Sequence, residues 1–191
     1  MIETLVRHSR TVRRFYEGFF VPKNTLRGFI DLARLCPSAG NLQPLKYIIS
    51  NTPETNDKIF STLAWAAYLT NWQGPEVGEH PSAYIIMLGD KSISKNIFCD
   101  HGIAAQTIML GAREAGLGGC IIVSIKKDEL KHTLNIKENL EILLIIALGK
   151  PKEEVIITEI EPEQGIKYYR DNKGVHYVPK RKLDDIIIEL L

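Results

Sequence analysis

Residues His101 to Ala115 constrain the fold more than any other stretch of this chain. Ile103, Ala104, Ala105, Ile108, Met109, Leu110 and Ala112 cover nearly every face of a helix laid over it, and a helix that is apolar all round belongs at the centre of a domain or of a dimer. Other elements must therefore pack on it from several sides. Four short apolar runs bounded by polar or glycine residues supply buried strands: Lys46 to Ser50, Ala83 to Gly89, Cys120 to Ile125 and Glu141 to Leu148. Leu26, Phe29, Ile30 and Ala33 recur at helical spacing between Pro22 and Pro37, which predicts an amphipathic helix over Lys23 to Cys36. Asp57 to Leu69 and Lys127 to Leu134 read as further helices, and Gly116 as the cap that ends the central one. Gly74 to Pro81, with two prolines and two glycines, reads as an exposed loop. Helices and strands in this mixed order argue an α+β fold.

At 191 residues the chain suits one domain, 1–191, that buries about 70% of the surface its unfolded form exposes. With 25% charged residues, 45% apolar ones and a net charge of +1, the composition is that of an ordinary globular protein, and nothing in it points to nucleic acid. The longest apolar run, Ile142 to Leu148, is far below the roughly 20 residues a membrane helix needs, and no leader-like stretch follows Arg7 and Arg10. No membrane association is expected. Cys36, Cys99 and Cys120 are odd in number and lack a CxxC spacing, which suits a reducing cytoplasm. Beyond Pro151 the chain is polar and turn-rich up to Lys182, then apolar at Leu183, Ile186, Ile187 and Ile188. A tail of about forty residues without its own core is expected to wrap onto a partner subunit.

Three segments carry candidate chemistry. Arg7, Arg10, Arg13 and Arg14 put four guanidinium groups into eight residues, with Thr11 among them; this is either a local anion site, since the guanidinium fork matches phosphate, or a solvated basic turn paired with surface carboxylates. Pro37-Ser38-Ala39-Gly40-Asn41-Leu42-Gln43-Pro44 sets small, amide and proline residues between a helix and a buried strand. Such a turn lets backbone N–H groups approach a flat ligand, or it is a tight connection in which Asn41 satisfies its own backbone. Gly116-Leu117-Gly118-Gly119 follows a helix and precedes a strand, the reverse of the order a dinucleotide fingerprint requires, so a Rossmann reading is rejected. Lys180-Arg181-Lys182 adds a second basic cluster. The five histidines share no metal-ligand spacing, His101 beside Asp100 is either a base with its partner or a helix-start pair, and no GxSxG nucleophile motif occurs. Side-chain apparatus for hydrolysis is missing, which favours a cofactor as the reactive species.

Taken together, these segments resemble the nitroreductase family of FMN enzymes. The resemblance rests on Arg10-Thr11-Val12-Arg13-Arg14-Phe15, on the Pro37 to Pro44 turn, on Gly116-Leu117-Gly118, on Leu148 to Pro151, and on Lys180 and Arg181. It departs at Ser9, Leu45 and Val123, where many members carry arginine, an aromatic residue and glycine. It implies a central mixed β-sheet flanked by helices, a homodimer with flavin sites at the subunit interface, and a C-terminal tail wrapped around the partner. Arg10 and Thr11, with Lys180 and Arg181, would hold the FMN phosphate, and Arg13 would sit at the pyrimidine edge. Pro37, Ser38, Ala39, Gly40, Asn41 and Gln43 would line the ring and ribityl chain, often from the opposite subunit. Backbone N–H groups at Val123 or Ser124 would face flavin N5, the reactive atom, so no side chain is assigned a catalytic role. The implied reaction is ping-pong: NADH or NADPH reduces FMN, and a small acceptor such as a nitroaromatic or quinone is reduced in turn. Trp65, Tyr68 and Trp72 would either floor the acceptor pocket or pack the core. The same fold also implies two alternatives: another redox role, such as dehalogenation or flavin chemistry, and a non-catalytic FMN carrier or sensor.

Overall fold

The computed structural model describes residues 1–189, so the last two positions of the expected 1–191 unit lie outside it. Strands β1 (Leu45–Ser50), β2 (Ala83–Asp90), β3 (Gly118–Ile122) and β4 (Leu140–Gly149) form one sheet in the order β1-β2-β4-β3. All eight residues of β2 are buried because both faces of the sheet are covered. Ala83, Ile85 and Met87 face helices α2 (Lys23–Arg34) and α4 (Asp100–Glu114), meeting Leu26, Phe29, Ala105 and Ile108. Tyr84, Ile86 and Leu88 face the other way, toward Ile59 of α3 (Pro53–Phe60) and Leu130 of α5 (Lys127–Thr133). Each fully buried aliphatic side chain contributes about 1.5–3 kcal/mol, which makes these two clusters the main stabilising mass of the fold.

Close approach is bought with glycine. A Cβ on Gly111 would stand 2.8 Å from Leu32 Cδ1, so α2 and α4 cross where one of them has no side chain. A Cβ on Gly119 would lie 2.6 Å from the Ala147 carbonyl oxygen, which ties the glycine-rich entry of β3 to its pairing with β4.

Strands β1 to β4 pair antiparallel, and among the described residues the Thr11–Gly119 bridge along the outer edge of β3 adds the parallel pairing of a mixed sheet. Several expectations are corrected. The helix expected over Asp57 to Leu69 is Pro53–Phe60, because Thr52 and Pro53 supply its start. It stops where Lys126 N–H bonds the Thr62 carbonyl (2.9 Å) and Ala64 N–H bonds the Ser124 carbonyl (3.0 Å), drawing the chain onto the end of β3. In the loop Gly74 to Pro81, Gly74, Pro75, Glu79 and Pro81 are buried. Helix α4 buries Ala104, Ala105, Ile108, Met109 and Ala112 but leaves Ile103 40% exposed, so within one protomer it is covered on most sides and open on one. The tail is not merely turns. β5 (Val155–Ile160), β7 (His176–Arg181) and β6 (Tyr169–Arg170) make a second sheet, with β5 and β7 parallel, and it docks on the chain's own N-terminal arm. The apolar end stays uncovered: Leu183 is 66% exposed and Ile186 60%.

Candidate functional site

After α1 (Ile2–His8), residues 9–16 run as an extended arm fixed at both sides. Val12 N–H donates to the Gly119 carbonyl (2.8 Å), Tyr16 N–H to that of Lys150 (2.9 Å), and Lys152 N–H to that of Arg14 (2.9 Å). Val12 and Phe15 are the buried side chains of the arm; Phe15 fills the space that a Cβ on Gly149 would need. Two buried carboxylates complete the fastening. Glu153, whose side chain is fully buried, accepts from the backbone N–H of Arg13, from that of Arg14 (3.2 Å), and from Arg170 Nη2 (2.8 Å). Glu79 accepts from Arg14 Nε and Nη2 (2.5 and 2.6 Å) and pairs with Lys152 (3.0 Å). Those bonds, with the Arg14 guanidinium the chief cause, hold the Glu79 carboxyl down at about 2.

The arm presents its polar side chains in two directions. Arg10 Nη2 donates to the Val6 carbonyl (2.7 Å), while its Nε is buried and has no partner among the described residues; burial lowers its pKa. A cavity of about 210 Å³ opens there, lined by Arg7, Arg10 and Arg113, by Ser9, and by Glu153 and Glu154. Arg13 points toward the tail. Its guanidinium lies over the Tyr168 ring (4.7 Å), with Nη1 3.4 Å from His176 Nε2. His176 is fully buried, and burial, followed by the charges of Arg13 and Arg170, brings its pKa to about 4. Burial raises the nearby Cys120 thiol to about 11 against the pull of Arg13.

The Pro37 to Gln43 turn stands apart from the arm. Gly40, Asn41 and Gln43 take positive φ values of 57°, 54° and 53°, an irregular path that Asp100 pins: its carboxylate accepts from Ser38 Oγ (2.6 Å) and Ala39 N–H (3.0 Å). Ser38 Oγ in turn accepts from Gln43 N–H (2.9 Å), and Gln43 Nε2 donates to Asn41 Oδ1 (3.2 Å). Pro37, Gly40, Asn41 and Gln43 are exposed. Asp100 begins α4, whereas the arm meets that helix at Met109, whose carbonyl accepts from Ser9 Oγ (3.4 Å). Nine residues of helix, about 13 Å, separate the two contacts.

Thr11 is thus joined to β3, and Val123 and Ser124 follow that strand, both exposed. Lys180 and Arg181 are exposed at the end of β7, opposite Glu159 and Ile160, and do not line the Arg10 cavity. Tyr68 packs on Tyr168 (5.0 Å) and Trp72 under Arg170 (4.3 Å), so these two rings anchor the tail; Trp65 packs on Phe60 (5.8 Å). Asp100 is spent on the turn, which leaves His101 in the helix-start reading. No group of three potential metal ligands occurs among the described residues. Glu79, Glu153 and His176 escaped sequence reasoning, and Asp100 entered it only as a neighbour of His101, since a lone titratable side chain carries no periodic signal.

An organic phosphate with a flat ring fits these parts. The buried Arg10 Nε lacks an acceptor in a cavity lined by three arginines, and the pinned turn leaves Gly40, Asn41 and Gln43 exposed. Comparison with known proteins agrees. A protein of Archaeoglobus fulgidus provisionally named NADH dehydrogenase/NAD(P)H nitroreductase is 27% identical over 155 residues, covering 77% of this chain and 84% of its own. The structure of the nitroreductase ydfN of Bacillus subtilis, also a provisional name, superposes with a TM-score of 0.71 at 20% identity over 99% of this chain and 98% of that one. An FMN-dependent nitroreductase of Clostridium difficile R20291 gives a TM-score of 0.64 at 24% identity, over 81% of this chain and 89% of that one. The family model described as Nitroreductase family matches residues 6–150, from the end of α1 through β4, and the chain belongs to that family of FMN-dependent NAD(P)H oxidoreductases.

Proposed function

We propose that this chain is an FMN-dependent enzyme that passes hydride from NADH or NADPH to a small acceptor, a nitroaromatic, a quinone or a compound like them, in a homodimer of 1–191 units. The observation that carries the reading is the buried, unpartnered Arg10 Nε in a cavity faced by two further arginines. Bound FMN supplies the ring that accepts hydride and returns it. Arg10 and Thr11 hold its phosphate. Arg13 stabilises negative charge at the pyrimidine edge, and for that it exchanges its present partners, Tyr168 and His176, for the ring. Backbone N–H groups at Val123 or Ser124 face N5.

Separation within one protomer supports a two-subunit arrangement. Pro37, Ser38, Ala39, Gly40, Asn41 and Gln43 lie a long way along α4 from the arm, so they serve the flavin held by the partner. The open side of α4 at Ile103 and the uncovered Leu183 and Ile186 supply the apolar surface on which two copies meet. Lys180 and Arg181, remote from the Arg10 cavity in their own chain, join a phosphate site through the same assembly. Among the described residues no helix is long and apolar enough to cross a membrane, and the three cysteines are free, which supports a cytoplasmic site of action.

The visible spectrum of the FMN-loaded protein, recorded anaerobically before and after NADH or NADPH, tests the reading. Bleaching followed by return of colour on adding menadione or a nitroaromatic supports it. Tight flavin that neither nucleotide bleaches makes the protein a carrier or an enzyme with another reductant, and failure to bind FMN removes the proposal. Sedimentation as a monomer at micromolar concentration removes the shared site.

A further inference from the structure

A second cavity, of about 270 Å³, lies between residues 17–20, the start of α3 and the base of β2, and none of its walls belongs to the flavin reading. Its charge is one-sided. Glu17 and Asp57 face it, no lysine or arginine does, and the other titratable groups there are His80 and Tyr84. Among the described residues Asp57 enters no ion pair. Glu17 is engaged, accepting from the backbone N–H groups of Gly78 and His80 and lying 3.8 Å from His80 Nδ1, so Asp57 is the free carboxylate of the cavity.

The floor holds polar groups with nothing to bind. Tyr84 is fully buried and its hydroxyl has no partner; Ser82 Oγ, in a residue 9% exposed, has none either. Two orphaned hydroxyls in one cavity are an unusual expense for a core, unless something fills them. Aromatic rings make up much of the remaining wall. Phe60 stacks on His80 at 4.0 Å, and Phe19 and Phe20, 43% and 66% exposed, stand at the rim.

The Asp57 carboxylate, outside every ion pair among the described residues, the unfilled hydroxyls and the phenyl rings together select one ligand chemistry. A cation is drawn by the charge, its N–H groups satisfy the hydroxyls, and its apolar part and its charge both gain from the rings. A bare divalent ion suits the site poorly, since the rings offer it no ligand and no cluster of three ligating side chains is present among the described residues. We propose that this cavity binds a small organic cation, a primary ammonium on a compact apolar body, with Asp57 as its counter-ion and the Tyr84 hydroxyl as its hydrogen-bond acceptor.

The test is isothermal titration of the full chain, loaded with FMN, with 2-phenylethylammonium chloride as probe and 2-phenylethanol as its neutral counterpart. Saturable one-site binding of the amine is expected, weakened at least tenfold in Asp57→Asn and at least threefold in Tyr84→Phe, with no saturation by the alcohol. Failure of the amine to saturate, equal binding of the alcohol, or binding that either substitution leaves unchanged overturns the proposal. Asp57 is exposed, so its variant folds whatever Tyr84→Phe does, and that arm alone decides the outcome if the second protein is unstable.

Discussion

Replacing Glu79 by glutamine keeps the side-chain shape and removes only the charge that clamps the arm. The carboxylate binds Arg14 through two nitrogens at 2.5 and 2.6 Å and Lys152 at 3.0 Å, with only a tenth of its side chain exposed. Its pKa falls from an ordinary 4.5 to about 2. At about 1.36 kcal/mol per pKa unit, the ceiling on the charge's contribution is about 3.4 kcal/mol. Arg14 and Lys152 keep side-chain exposures of 30% and 37%, so solvent screens part of it, and a loss of about 1.5–2 kcal/mol at pH 7 is expected. The pH dependence has a definite sign. A folded carboxyl held below its unfolded value adds stability above about pH 4.5, and that stability drains away as pH falls toward 2. Urea unfolding of the native protein and Glu79→Gln at pH 7 and pH 3 reads both quantities. The gap between them is expected to shrink by about half or more at pH 3. A gap below about 0.5 kcal/mol at pH 7, or one equally large at pH 3, refutes the view that this charge holds the arm.

Three further outcomes are expected. Gly119→Ala places its Cβ against the Ala147 carbonyl oxygen and loses about 2–3 kcal/mol in denaturant unfolding, whereas Gly102→Ala, with nothing within 4 Å, is neutral or slightly stabilising. His176, held near 4 in the fold and near 6.5 when unfolded, stays neutral in the folded protein, so stability falls as pH drops from 6.5 toward 4 by up to about 3 kcal/mol. Denaturant titration of the native protein against His176→Gln across that range shows the loss only in the native protein. Arg13→Ala lowers both the FMN-to-protein ratio after gel filtration and the flavin reduction potential, and unchanged values for both remove Arg13 from the flavin reading.

Periodicity made the interior legible. Leu26, Phe29 and Ala33 at helical spacing, and the unbroken run from Ala83 to Gly89, are consequences of faces buried against the sheet, and their places in the fold follow directly. The same method failed over Asp57 to Leu69. Apolar residues there serve two purposes, Ile59 in a helix and Leu63 in a bridge to Ile125, so one pattern merged two structures. Gly74 to Pro81 misled for a different reason: its glycines and prolines do mark turns, but Glu79 is drawn under the surface by Arg14 and Lys152, partners that lie 65 and 73 positions away in the chain.

The candidate site divides along the same line. Arg10, Thr11 and Arg13 were visible because several arginines stood together, and the Pro37 to Gln43 turn because small and amide residues interrupt two regular elements. What holds them was not visible. Glu153 binds the arm and Arg170 at once, and Asp100 binds a turn more than sixty positions upstream; each is a lone carboxylate whose meaning is its partner. The tail shows the limit most clearly. Its polar sequence concealed a three-stranded sheet, because Tyr168, Arg170 and His176 dock it through aromatic and cationic contacts with Tyr68, Trp72 and Arg13 rather than through an apolar stripe. Contacts of that kind have no period in the sequence, and they place the tail on the very arginine assigned to the flavin ring. Removing Tyr168 therefore bears on whether the tail and the cofactor compete for Arg13, whereas removing Phe15 merely unfolds the arm that carries it.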